Sequence, residues 1–275
     1  MAKLDRLGWA AGKSFSSFGV RFGIRVNDHS ILEALGELLP PGTKVISAPV
    51  VDHLYSLIGG RAKPGSKVRP FSLAYWNLER IARTRSVDDM LEAFASHLQL
   101  TVAEYAPRRV FVHAGVVGWK GKAIVLPGRS FTGKTTLVTE LIRAGATYYS
   151  DEYAVFDERG RVHPYTGALG IRKNGSFNSN KVRPEKLGAC LGTKPLQVGL
   201  VISTAFKKGA RWRPRTVSQG KAVLELLANT VSARTRPEKA LKVLPEALSS
   251  SRTIKGARGE AAEVVDSILR LCDDR

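Results

Sequence analysis

The stretch GRSFTGKTT, residues 128–136, constrains this chain more than any other part of it. It fits the pattern G-x-x-x-x-G-K-[ST], with Gly128, Gly133, Lys134 and Thr135 at the four fixed places. An apolar run at 123–127 precedes it. Leu137, Val138, Leu141 and Ile142 follow at helical spacing, and Gly145 is placed to end that helix. The pattern therefore reads as strand, glycine-bearing loop and helix. Glycines let the backbone bend so that successive N–H groups face one centre, and the helix N-terminus adds its positive dipole end. A concavity of that kind takes phosphate. The nucleotide-binding candidates are Gly128, Arg129, Ser130, Phe131, Thr132, Gly133, Lys134, Thr135 and Thr136. Lys134 has the reach for the β and γ phosphates of a nucleoside triphosphate, and the Thr135 hydroxyl suits Mg²⁺.

Asp151 and Glu152 follow the next predicted strand, 147–149, and are expected on the same sheet edge as the loop. A carboxylate there can hold Mg²⁺ or orient a substrate hydroxyl. Lys134 and Asp151 lie close in the chain, with room for one helix and one short strand between them. Many ATPases with this loop place their second carboxylate much later. His113 lies in VFVHAG, on the strand that leads into a hairpin at Trp119, Lys120 and Gly121. A lone histidine in an apolar run is more often packed than catalytic, so spacing alone does not give His113 a task.

The rest of the chain sets limits. No apolar run approaches the length of about 18 residues that a membrane span needs. Cys190 and Cys272 lie far apart and fit no metal spacing, so they read as reduced thiols of a cytoplasmic protein, without structural zinc. The formal net charge of +19 favours polyanionic partners without choosing among them. Basic residues are dense at 172–186 and 207–215, but no recognisable nucleic-acid module accompanies them.

Residues 1–17 read as a mobile arm. Residues 18–105 read as a smaller α+β region, with strands at 18–26, 44–49 and 70–76 and helices at 27–39 and 86–100. Asp28 and Ser30 are the capping candidates of the first helix. Residues 106–275 read as an α/β domain holding the loop, a later strand at 198–203 and helices at 220–231 and 260–271.

Taken together, HAGVVGWKGKAIVLPGRSFTGKTTLVTELIRAGATYYSDEYAVF resembles the catalytic domain of bacterial HPr serine kinase/phosphorylase. That domain shows a His-Gly-Val run, a hairpin, a P-loop, a helix, and a strand ending in Ala-Asp-Asp. His113, Gly128, Gly133, Lys134, Thr135 and Asp151 fall on its motif positions, and Glu152 stands where it has a second Asp. The resemblance implies the P-loop fold shared with phosphoenolpyruvate carboxykinase. It implies ATP and Mg²⁺ as cofactors, Lys134 on phosphate, Asp151 accepting a serine proton and His113 near the reacting groups. Thr135 and Glu152 are then the metal candidates. The chain departs from the family after the acidic pair, where the family carries a metal-binding Glu. In PYTGALGIR, residues 164–172, Tyr165 takes the Glu position and Gly167 the following Arg position, while Gly170 and Ile171 are kept. Residues 1–105 do not resemble the family's own N-terminal domain, which points away from HPr as acceptor.

The expectation is an ATP-dependent kinase acting on a hydroxyl, a serine of a protein or peptide first, with residues 18–105 helping to choose the acceptor. It includes a homo-oligomer and an acidic acceptor, and it excludes membrane and nucleic-acid partners. The rival readings are a small-molecule or carboxykinase-like enzyme, and a nucleotide-binding regulator without turnover.

Overall fold

The computed structural model describes residues 3–60, 70–128, 132–172 and 179–273. The chain divides into two compact units, Met1–Pro107 and Arg108–Arg275.

The first unit is a six-stranded sheet with one long helix. Its strands are β1 (Ala11–Ser17), β2 (Val20–Val26), β3 (Lys44–Ile46), β4 (His53–Ile58), β5 (Ser72–Trp76) and β6 (Glu79–Thr84), in spatial order β3-β1-β2-β4-β5-β6. Neighbours are antiparallel except β2 and β4. Val20, Phe22, Ile24 and Val26 alternate inward along β2 and are buried. The tight β1–β2 turn uses Phe18 and Gly19, both at positive φ, which matches the twist of a two-residue hairpin.

Residues 1–17 are therefore not an arm throughout. Ala11–Ser17 pairs along its length with β2 and also with β3. Its sequence, AGKSFSS, has no β-branched residue to announce a strand. The helix expected over 27–39 is shorter: α1 spans His29–Glu33, with the Asp28 side chain accepting from the Ser30 amide, and turns follow. The long helix α2 (Val87–Tyr105) starts at Ser86, whose hydroxyl accepts from the Asp88 and Asp89 amides. It buries Met90, Leu91, Phe94, Leu98 and Val102.

The second unit has helices on both faces of an eight-stranded sheet. Its strands are β7 (Val110–Trp119), β8 (Lys122–Pro127), β9 (Thr147–Ser150), β10 (Tyr153–Phe156), β11 (Val162–His163), β14 (Gln197–Phe206), β15 (Arg215–Thr216) and β16 (Arg252–Arg258). A separate hairpin joins β12 (Leu169–Arg172) to β13 (Ser179–Val182). The main order is β11-β10-β7-β8-β14-β16-β15, with β9 also on β7. The inner strands β8, β14 and β16 run parallel, and β7 is antiparallel to β8.

Strand β8, KAIVLP, has no polar alternation because both faces are covered. Ala123 and Val125 face the helices α4 (Gln219–Ala228) and α5 (Pro237–Leu248). Ile124 and Leu126 face α3 (Lys134–Arg143) and α6 (Ala261–Asp273). The expected inward set of α3, Leu137, Val138, Leu141 and Ile142, is buried, and Gly145 at φ +94 follows its C-terminus. Helix α5 and strand β16 were not expected. In the first, Pro245 interrupts the helical signal, and in the second, RTIKGAR offers a single large apolar residue. No helix among the described residues is long and apolar enough to cross a membrane.

A buried carboxylate fixes the sheet edge. Asp157 receives the Arg159 and Arg161 amides, the Arg161 guanidinium and the His163 ring. Burial alone would raise its pKa, but these bonds prevail and hold it at about 2. Its folded value lies below the unfolded value of 3.8, so the stability it adds is complete above that value and is lost as pH falls toward 2. Asp157→Asn is expected to cost ~2 kcal/mol in denaturant melts at pH 7. The gap between wild type and variant should narrow below pH 4. A gap that stays constant with pH would contradict this role.

Candidate functional site

The loop after β8 is held from three directions. At its start the Gly128 amide donates to the His113 carbonyl at 3.3 Å, and Gly128 has φ +155. Arg129, Ser130 and Phe131 lie outside the described residues. At its end Gly133, at φ +83, is the N-cap of α3 and offers no side-chain cap. An uncapped first turn is the arrangement in which backbone amides serve an anion. The Lys134 ammonium folds back to the Gly128 carbonyl. The Thr135 hydroxyl donates to Asp151 Oδ2 at 2.9 Å. Thr136 is exposed on the same turn.

Asp151 and Glu152 follow β9, as the sequence suggested. They lie in a break between β9 and β10, two strands that pair with the same edge of β7. Ser150 makes the break: its hydroxyl accepts from the Glu152 and Tyr153 amides. Pairing resumes at Tyr153 opposite His113. The interruption turns the Asp151 side chain toward the first turn of α3.

Asp151 is only 9% exposed. Burial, with Glu152, raises its pKa to about 7 against the opposing pull of the Thr135 bond, Lys134 and the Gly170 amide. Its second oxygen, Oδ1, is buried with no hydrogen-bond partner among the described residues. A buried carboxylate oxygen left in this way is a vacant acceptor at considerable cost. It fits a cation or an incoming hydroxyl. Among the described residues no three His, Cys, Asp or Glu side chains cluster to hold a metal. A cation here would draw on Thr135, the acidic pair, phosphate oxygens and water, as Mg²⁺ commonly does.

His113 is half-exposed and packs against Tyr153, ring centroids 4.7 Å apart and planes tilted by 35°. Its Nδ1 lies 3.7 Å from Glu152 Oε1. Burial lowers its pKa and Lys134 lowers it further, while Glu152 opposes both. Glu152 thus reaches His113, and Asp151 reaches Thr135. Tyr165, at the position where the resembling family carries a Glu, is buried and packs on Tyr153 and Phe111. It supplies aromatic core there.

One residue at this site had no sequence signal. Arg258 ends β16 and is 1% exposed. Its Nη2 donates to the Gly133 carbonyl at 2.7 Å and its Nη1 to the Gly259 carbonyl at 3.0 Å. Burial disfavours its charged form, and Glu260 offsets part of that. A charged, nearly dry guanidinium therefore buttresses the N-cap of α3. The Phe206 amide adds a bond to the Thr132 carbonyl at 3.3 Å. Nothing separates Arg258 from the rest of the chain's 43 lysines and arginines until the fold is known.

No protein-family model matches this chain, and no curated protein matches it. Among solved structures it is similar to the Hpr(Ser) kinase/phosphatase from Coxiella burnetii, at 16% identity and a TM-score of 0.34. That likeness covers 60% of this chain and 94% of the other. A likeness of this size assigns neither an activity nor residue roles.

The buttress can be tested at Gly133. A Cβ there would lie 2.5 Å from Arg258 Nη2, whereas at Gly121, φ +78, it would meet nothing within 4 Å. Both alanines carry the left-handed backbone cost of about 1–2 kcal/mol. Gly133→Ala should cost ~1–3 kcal/mol more than Gly121→Ala. Adding Arg258→Ala should recover part of that excess in a double-mutant cycle. Equal costs at the two glycines would mean that Arg258 yields freely and buttresses nothing.

Proposed function

We propose that this chain is an ATP-dependent phosphotransferase that moves the γ-phosphate to a hydroxyl, with a serine of a protein or peptide as the favoured acceptor. The observation that carries the reading is the Thr135–Asp151 hydrogen bond, with the vacant Asp151 Oδ1 beside a loop of the G-x-x-x-x-G-K-[ST] pattern. The Thr135 bond places this carboxylate at the loop, and its Oδ1, without a hydrogen-bond partner among the described residues, is an acceptor suited to a cation or an incoming hydroxyl.

In this reading the backbone of residues 128–136 and the α3 dipole bind the polyphosphate. Lys134 leaves the Gly128 carbonyl for the β and γ phosphates. Mg²⁺, if held by the Thr135 hydroxyl and Glu152, would neutralise charge on the phosphate oxygens. The acceptor oxygen attacks the γ-phosphorus; the bond from that phosphorus to the β-phosphate oxygen breaks, and ADP leaves. The acceptor proton passes to Asp151. Positioning carries most of the rate in such transfers, which suits a loop tied at both ends.

A second assignment rests on the His113–Glu152 approach of 3.7 Å. Asp151 then shares the metal with Thr135, and the pair at the rim takes the proton. The two assignments differ in their metal dependence, and substitutions separate them.

Lys134→Ala is expected to weaken Mg-ATP binding by about 10²-fold with an unchanged melting curve, since a charge-assisted contact to phosphate is lost. Wild-type affinity in that variant would remove the phosphate-loop assignment. Asp151→Asn is expected to lower γ-phosphate release to water by about 10²–10⁴-fold while Mg-ATP affinity stays within a few-fold. If Asp151→Asn instead abolishes the Mg²⁺ requirement for binding, and Glu152→Gln carries the rate loss, the second assignment replaces the first.

A further inference from the structure

Five basic side chains follow β14 near the loop, with the carboxylate of Glu263 close to Gly259 on the opposite flank of the segment. Lys207, Lys208, Arg211, Arg213 and Arg215 follow the end of β14 and all are exposed. None of them forms an ion pair or a side-chain hydrogen bond among the described residues. No Asp or Glu occurs between Glu185 and Glu225, so the segment has no acidic neighbour in sequence either. A solvated basic face usually mixes its charges, and single-sign fields mark steering or docking.

The segment is also fixed rather than a loose tail. At its start the Phe206 amide bonds the Thr132 carbonyl and the Lys207 amide bonds the Arg258 carbonyl at 2.9 Å. Gly209, at φ +73, sits in a turn closed by the Ala210 amide on the Lys207 carbonyl. Gly259 is packed so closely on Ala210 that a Cβ would lie 2.9 Å from its carbonyl oxygen. Trp212 is partly buried against the α3–α6 side of the core. Arg215 pairs with Lys255 as β15 joins the sheet. The same two residues, Thr132 and Arg258, thus hold both the phosphate-loop segment and the start of the basic one.

We propose that residues 207–215 form the docking surface for an acidic polypeptide segment of the phosphate acceptor, placing its hydroxyl at the edge where Asp151 and Lys134 stand. The proposal rests on the phosphotransferase reading and names its acceptor class by charge complementarity. Association guided by unpaired charges depends on salt and is read more in encounter rate than in contact area. A polypeptide is favoured over nucleic acid because Trp212 is partly buried against the core and only one exposed ring, Phe206, adjoins the segment, whereas single-stranded binding grooves interleave several stacking aromatics with their charges.

The test uses the full-length protein and the fourfold variant Lys207→Gln, Lys208→Gln, Arg211→Gln, Arg213→Gln. These side chains are exposed, so the fold should be unaffected. The probes are a fluorescent peptide of alternating Glu and Ser, its Gln-Ser counterpart, and an oligothymidylate of equal charge, titrated with Mg-ATP saturating. The acidic peptide is expected to bind wild type about tenfold tighter than the Gln peptide at low salt. The variant is expected to lose that preference and most of its salt dependence. Mg-ATP affinity, measured on the same samples, reports separately on the phosphotransferase reading and should be equal in the two proteins. Unchanged acidic-peptide binding in the variant would overturn the docking surface. Tighter oligothymidylate binding that the variant loses would overturn it in favour of nucleic acid. Joint loss of peptide and Mg-ATP binding would assign the basic segment to the nucleotide site instead.

Discussion

The hydrogen bond from the Thr135 hydroxyl to Asp151 organises the second unit's working edge. It joins the first turn of a helix to a break in a neighbouring strand, two places that the backbone alone would not hold together. A buried carboxylate must be paired or pay for its desolvation. Asp151 Oδ1 has no hydrogen-bond partner among the described residues, and burial raises the pKa of the group to about 7. That is a cost the fold carries in the absence of any ligand, and functional sites are where such costs are usually found.

Much of the remaining architecture serves to bring those two groups together. Strand β7 is long enough to carry β8 on one edge and both β9 and β10 on the other. The loop leaves β8, the acidic pair interrupts the opposite edge, and His113 lies on the strand between them. On the far side Arg258 grips the Gly133 carbonyl from the end of β16. The segment between Thr132 and Thr135 is therefore clamped by a carboxylate on one flank and a guanidinium on the other. In the proposed reading, rigid support of this kind would keep the reacting groups within the tolerance that transfer chemistry needs.

What the sequence made legible followed from local pattern. The apolar run at 123–127, the glycines at 128 and 133 and the helical spacing of Leu137, Val138, Leu141 and Ile142 describe a strand, a loop and a helix, because each element's signal lies within its own residues. Asp151 and Glu152 were visible as a pair, but their division of contacts was not. One turns to Thr135 and the other to His113 because the Ser150 hydroxyl breaks the strand between its two halves. Arg258 was invisible because its partner lies 125 residues away in the chain. Strand β1 was missed because AGKSFSS owes its pairing to the strands on either side of it. Tyr165 showed as a departure from a familiar pattern, and only packing reveals that it fills the core beside Tyr153.

The most direct measurement of the central claim is amide hydrogen exchange of the full-length protein with and without Mg-ATP. Nucleotide on the first turn of α3, with the metal beside Asp151, predicts slowed exchange at Thr132–Thr136 and at Ser150–Tyr153, with β1–β6 of the first unit unchanged. Saturating Mg-ATP that leaves both of those segments exchanging at their free rates, or protects a different region, would contradict the account.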